Sequence, residues 1–159
     1  MRINILCVGK IKEKFYRDAL DEYIKRLSRY CDIRVCEVSD EKTVEGASQT
    51  VIDQIKDAEG ERILKKLDDS SYVFTLEIDG KQLSSTELAD KISNLGVFGS
   101  SNLTFVIGGS LGLADKVVKR ADYHLSFSKM TFPHQLMRVI LLEQIYRAYR
   151  IISNEPYHK

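Results

Sequence analysis

Three stretches of the chain carry residue types that can do chemistry. The first is Gly108-Gly109-Ser110-Leu111-Gly112. Glycines let a backbone turn sharply and approach a ligand closely, leaving N–H groups free to donate. No Lys-Ser or Lys-Thr pair follows, so the cluster is not a P-loop, and it does not match GxGxxG either. A strand-ending turn explains it as well as a cofactor loop does. The second stretch is SFSKMTFPHQ, from Ser126 to Gln135. Loops normally shed aromatic residues, so Phe127, Met130 and Phe132 read as core anchors or as walls of a pocket. His134, next to a helix start, reads as a capping or solvent-facing residue. The third stretch is the tail NEPYHK, Asn154 to Lys159. So short an end normally frays. Tyr157 nevertheless offers a stacking ring and His158 a titratable imidazole, a pair suited to RNA contact.

Other chemistries find less support. Cys7, Cys31 and Cys36 are odd in number and lack CxxC spacing, which argues against a disulfide framework and a zinc ribbon. Cys7 sits in an apolar run and reads as a small buried hydrophobe. His124, His134 and His158 fall at unrelated spacings, so no metal site is expected. The net charge of +1 hides an uneven distribution: residues 2–34 sum to +4, 35–69 to −5, 70–115 to −3 and 116–159 to +5. The basic first and last quarters could draw a polyanion such as RNA, although solvated helix faces are often just as basic.

The elements that must position these residues alternate between strand and helix. Ile3–Val8 reads as a buried strand, and Ile11–Tyr30 as an amphipathic helix with apolar residues at helical spacing. Ile33–Val38 is a second strand, followed by an acidic loop through Thr50. Ile52, Ile55, Ile63, Leu64 and Leu67 mark the next helix, with Gly60 as a weak point in its middle. Tyr72–Ile78 is a third strand, ended by the turn pair Asp79-Gly80. Ser84 and Glu87 form a capping-box pattern opening a helix that Gly96 caps at its far end. Leu103–Ile107 is a fourth strand and runs into the glycine cluster. A short helix spans Asp115–Arg120, and Tyr123–Phe127 reads as a fifth strand. The last helix starts near Pro133, runs to about Ile152, and buries Leu136, Val139, Ile140, Ile145 and Tyr149. The fold class is therefore α/β, a single domain with a mostly parallel sheet flanked by helices. In such sheets ligands gather beyond the carboxyl ends of the strands, here after Leu76, from Gly108 onward and after Phe127. With 159 residues, 43% of them hydrophobic and 30% charged, the composition is that of a globular chain. No run reaches the ~20 apolar residues of a membrane span. The opening segment lacks the order of a secretory signal, so a cytoplasmic location is expected.

The strand and loop IGGSLGL, the run LSFSKMTFPHQLMRV, the helix LLEQIYRAYRI and the tail NEPYHK together resemble one family. It is the ribosomal RNA large-subunit methyltransferase H family, of the SPOUT class of S-adenosylmethionine-dependent RNA methyltransferases. The resemblance runs from INILCVGKIKEKFY to the last lysine. It implies a carboxyl-terminal trefoil knot, an exception to the usual threading rule that no periodicity reveals. It also implies a homodimer whose knot loops hold S-adenosyl-L-methionine in a bent shape. The cofactor contacts it implies are Leu76, Gly108, Phe127, Ser128, Lys129, Met130, Thr131 and Phe132. The implied reaction is methylation of N3 of a pseudouridine in a hairpin of 23S rRNA on the assembled ribosome. In that reaction His158 is the candidate base and Tyr157 positions the uracil-like ring. Arg138 or Arg147 would hold phosphates, though a solvated helix face describes either arginine as well. The bare pattern also admits a different cofactor-binding α/β enzyme, or a ribosome-associated RNA-binding module without catalysis.

Overall fold

The computed structural model describes Met1–Lys159. Strands and helices alternate along the chain as β1 (Arg2–Val8), α1 (Lys14–Leu27), β2 (Asp32–Val38), α2 (Gln49–Lys66) and β3 (Tyr72–Gln82). They continue as α3 (Ser85–Val97), β4 (Asn102–Ile107), α4 (Asp115–Arg120), β5 (Tyr123–Ser126) and α5 (His134–Ile152). The five strands form one sheet in the order β2-β1-β4-β3-β5, and every neighbouring pair is parallel. Parallel strands need covering on both faces, and period-2 alternation divides their side chains between two cores. Ile3, Ile5, Phe74, Leu103 and Phe105 point into the larger core, with Leu20 of α1, Ile92 of α3 and Leu141 and Ile145 of α5. Leu6, Val8, Val73 and Val106 point the other way, onto Ile63 of α2 and Val117 of α4. At the sheet centre the rings of Phe74 and Phe105 stack with centroids 4.4 Å apart. Cys7 is buried among these residues, and burial pushes its thiol up to about 12. No helix is long and apolar enough to cross a membrane.

Several local expectations change. Helix α1 is shorter than the apolar spacing implied. Glycine at position 60 is a packing device: a Cβ there would come within 3.0 Å of the Ala114 Cβ and 3.3 Å of Val117 Cγ2. Its absence lets α2 lie directly on α4 and the segment leading into it. The Ser84–Glu87 capping box forms as expected. Helix α3, however, passes through Gly96, and Gly99 in the left-handed region (φ +94°) follows its end.

The third strand does not stop at Asp79-Gly80. It bulges, so that both Leu76 and Lys81 face Leu125, and it then resumes pairing with Gln82 beside Ser126. Gly80 is needed there because a Cβ would meet the Leu125 and His124 carbonyl carbons at 2.8 and 2.9 Å. Helix α5 buries Leu141, Leu142, Ile145, Ala148 and Tyr149, while Leu136, Val139 and Ile140 are only half-buried. Apolar residues surround much of this helix, so spacing alone could not single out the inward face.

Candidate active site

Because all strands are parallel, their carboxyl ends lie on one side of the sheet. The chain leaves β4, passes β3 and enters β5, which brings three segments together there. They are the β3 bulge at Leu76–Asp79, the glycine loop after β4 and the Phe127–Phe132 loop after β5. Between them lies a cleft of about 320 Å³, with Ile107, Leu125 and Met137 among the residues that line it. A volume near 300 Å³ is at the lower end for a small-molecule site.

Each segment is held by specific bonds. In the glycine loop Gly112 donates its N–H to the Gly109 carbonyl at 3.1 Å, and its φ of +86° is one that other residues rarely adopt. A Cβ on Gly108 would lie 2.9 Å from the Gly112 carbonyl carbon, so the loop closes tightly on itself. Glu59 of α2 packs under Gly109, where burial raises its carboxyl pKa and a bond from the Glu41 N–H opposes the rise. Ser126 is buried, and its hydroxyl lies 2.8 Å from the Ile78 carbonyl and 3.2 Å from that of Ser128. One side chain therefore ties the β3 bulge to the loop after β5. The Ser128 hydroxyl in turn accepts the Met130 N–H at 3.0 Å.

The charge of the cleft is distinctive. Its lining includes two carboxylate residues, Glu77 and Asp79, and neither lysine nor arginine. His134 also lines it, and burial followed by the nearby Arg138 guanidinium lowers the imidazole pKa. Such a cleft offers a polyphosphate no cation, and it favours a ligand that is itself cationic. Of the residues expected around a cofactor, Leu76, Gly108, Phe127, Ser128, Met130, Thr131 and Phe132 line the cleft. Lys129 is exposed and is not among the lining residues.

The four expected reaction residues lie elsewhere in the chain. Arg138 is fully buried, which corrects both readings of it: it presents no surface to a phosphate, and it is not on a solvated face. Its guanidinium donates to Glu37 Oε1 at 2.8 Å and to the Val8 and Gly9 carbonyls at 3.1 and 2.8 Å. It thus fastens the start of α5 to the ends of β1 and β2. Arg147 pairs with Glu143 at 2.8 Å and lies over the Tyr157 ring, 4.6 Å from its centroid. The Tyr157 hydroxyl donates to Glu143 Oε2 at 3.0 Å. Glu155 bonds Tyr30 and Arg150, and Arg150 donates to the Pro156 carbonyl at 3.2 Å. The tail is therefore laid back along α5 instead of fraying, with His158 exposed at its end. From His134, at the cleft, to Arg147 the helix advances by thirteen residues, ~20 Å at 1.5 Å each. Within one chain the cleft and the Arg147–Tyr157 cluster stand apart.

Glu77, Asp79 and the cleft position of His134 are additions to what the residues alone revealed. The two acids sit in a stretch that reads as strand and turn, and no spacing marks them. No three His, Cys, Asp or Glu side chains gather in a metal-binding group.

A family model described as a predicted SPOUT methyltransferase matches residues 1–158. The chain belongs to the SPOUT methyltransferase family. Its sequence is 62% identical to a protein of Bifidobacterium animalis subsp. lactis and 61% identical to one of Bifidobacterium adolescentis. It is 60% identical to one of Clostridioides difficile. Each match spans 159 residues and covers all of both chains, and each relative is named Ribosomal RNA large subunit methyltransferase H. The SPOUT assignment agrees with the parallel α/β sheet.

Proposed function

We propose that this SPOUT methyltransferase uses S-adenosyl-L-methionine to methylate N3 of a pseudouridine in 23S rRNA of the assembled ribosome. The observation that carries the reading is the cleft: three strand-end segments enclose a partly apolar space bearing carboxylates and no cation. That chemistry fits a sulfonium cofactor and disfavours ATP or a dinucleotide, whose phosphates would lack partners. The names of the full-length relatives supply the RNA class.

When bound, the cofactor supplies a methyl group already made electrophilic by its sulfonium. Leu76, Gly108, Phe127, Ser128, Met130, Thr131 and Phe132 would hold it, and the exposed Lys129 lies in the same loop. His158 accepts the N3 proton as the nitrogen becomes nucleophilic. Tyr157 stacks on the base, and Arg147 holds it against the Glu143 pair and meets phosphate. Arg138 has no part in this chemistry and serves as an anchor.

The distance between cleft and tail supports a homodimer in which one copy's tail reaches the other's cleft. The half-buried Leu136, Val139 and Ile140 of α5 offer an apolar surface for that pairing. The trefoil knot belongs to the same reading.

The test is transfer of labelled methyl from S-adenosylmethionine to ribosomes prepared without the modification, followed by mass spectrometry of the 23S rRNA. A single new methyl group on the pseudouridine hairpin is expected. Binding to ribosomes with no transfer would overturn the enzymatic reading and leave an RNA-binding module.

A further inference from the structure

Glu77 stands out because it borders two spaces, the cleft and a shallow groove on the β5 side that His124 also lines. Its Oε2 accepts the hydroxyl of the fully buried Thr75 at 2.5 Å and lies 2.6 Å from His124 Nδ1. An ionised carboxylate only accepts, so Nδ1 carries the hydrogen and a neutral imidazole suffices for the bond. Both bonds go to Oε2, and Oε1 makes none within the chain. The carboxylate is thus fixed by two donors with one oxygen uncommitted, in a residue that lines both the cation-free cleft and the groove, which Lys81 also borders. Asp79, two residues further along the same bulge, is exposed and forms no ion pair.

We propose that Glu77 is a specificity residue that favours the sulfonium cofactor over its neutral thioether product. This rests on the cofactor reading above. Methyl transfer breaks the carbon–sulfur bond and leaves the electron pair on sulfur, so the ligand loses one positive charge. The rest of the molecule, including its ammonium and carboxylate, is unchanged. A fixed negative charge beside the cleft therefore acts on the difference between the two forms, holding the charged one and loosening the spent one. Thr75 and His124 are positioning residues for that charge: without them a flexible glutamate would swing into water and be screened. Asp79 adds a weaker field, because it is exposed.

The experiment is titration calorimetry of the full chain with S-adenosylmethionine and, separately, with S-adenosylhomocysteine. For each protein the ratio of the two dissociation constants is read. In Glu77→Gln the preference for the charged form should fall roughly fivefold relative to the natural chain, as expected for a half-screened unit charge. In Asp79→Asn it should fall less. An unchanged ratio in Glu77→Gln overturns the proposal, and so does a larger loss in Asp79→Asn. If Glu77→Gln does not fold, the natural chain decides the matter by salt dependence. Its ratio should drop as ionic strength rises from about 0.05 M to about 0.5 M, and a ratio indifferent to salt overturns the proposal. A natural chain that binds neither compound overturns the cofactor reading itself, a result distinct from an unchanged ratio.

Discussion

Arg138 shows how much one residue's meaning depends on its surroundings. Read as part of the linear chain it is a hand for phosphate or a solvated cation, yet it is wholly buried. Its Nε has no partner, but its other nitrogens satisfy Glu37 and two strand-end carbonyls. Arg138→Met should lower unfolding stability by about 3 kcal/mol, the low end for a broken buried pair because Glu37 is partly exposed. Urea denaturation measures this, and a loss below ~1 kcal/mol would contradict the anchoring role. His134, one turn earlier, carries a pH signature. Burial and then Arg138 hold its imidazole below the ordinary 6.5, against an opposing pull from Asp40 and Glu13. The unfolded chain therefore binds this proton more readily than the folded one. The stability from the neutral ring is complete above about pH 6.5 and drains away as pH falls through the lowered folded value. The urea midpoint should fall over that range, and His134→Gln should flatten the fall.

At the scale of elements the decisive feature is the bulge in β3. A strand that stopped at Asp79 would leave β5 with a single short pairing and would leave the cleft without one wall. Because pairing resumes at Lys81, the four residues Glu77–Gly80 are pushed out between two anchored segments. Gly80 permits this by letting the β3 and β5 backbones nearly touch. Gly80→Ala places a methyl against carbonyl groups that cannot rotate aside, so β5 must shift. The expected cost is about 1–3 kcal/mol, with cofactor affinity weakened at least ~10-fold because the bulge carries a cleft wall. Thermal unfolding and calorimetry read the two effects, and unchanged affinity would show that the wall is not set by this packing. The motif Asp79-Gly80 is a fair turn signal; the pairing partner that overrides it is 45 residues away in sequence.

For the whole molecule, α5 separates two groups: cleft-lining residues gather at its start, and the proposed RNA-facing residues Arg147 and Tyr157 pack along its second half around Glu143. If two copies combine them, activity should be recoverable from two inactive variants. Mixing His158→Ala with Gly108→Val, which blocks the glycine loop, builds one intact site per mixed dimer and should restore methyl transfer toward roughly a quarter of the natural rate. That fraction follows from half of the dimers being mixed and each having one site of two. Activity no greater than that of either variant alone would place both residue sets in one chain's site.

The alternation of apolar strands and amphipathic helices, the parallel sheet class, the capping box and the three strand-end loops were all legible in the linear chain. Each depends on local periodicity or on the rule that parallel strands send their carboxyl ends to one side. Seven of the eight expected cofactor residues line one cleft for that reason. The tertiary structure alone decided the continuation of β3, the inward face of α5, the burial of Arg138, and the entry of Glu77 and His134 into the cleft. These are outcomes of contacts between residues far apart in sequence, such as Gly80 against Leu125 or Arg138 against Glu37. Local pattern carries no information about a partner that only folding brings near.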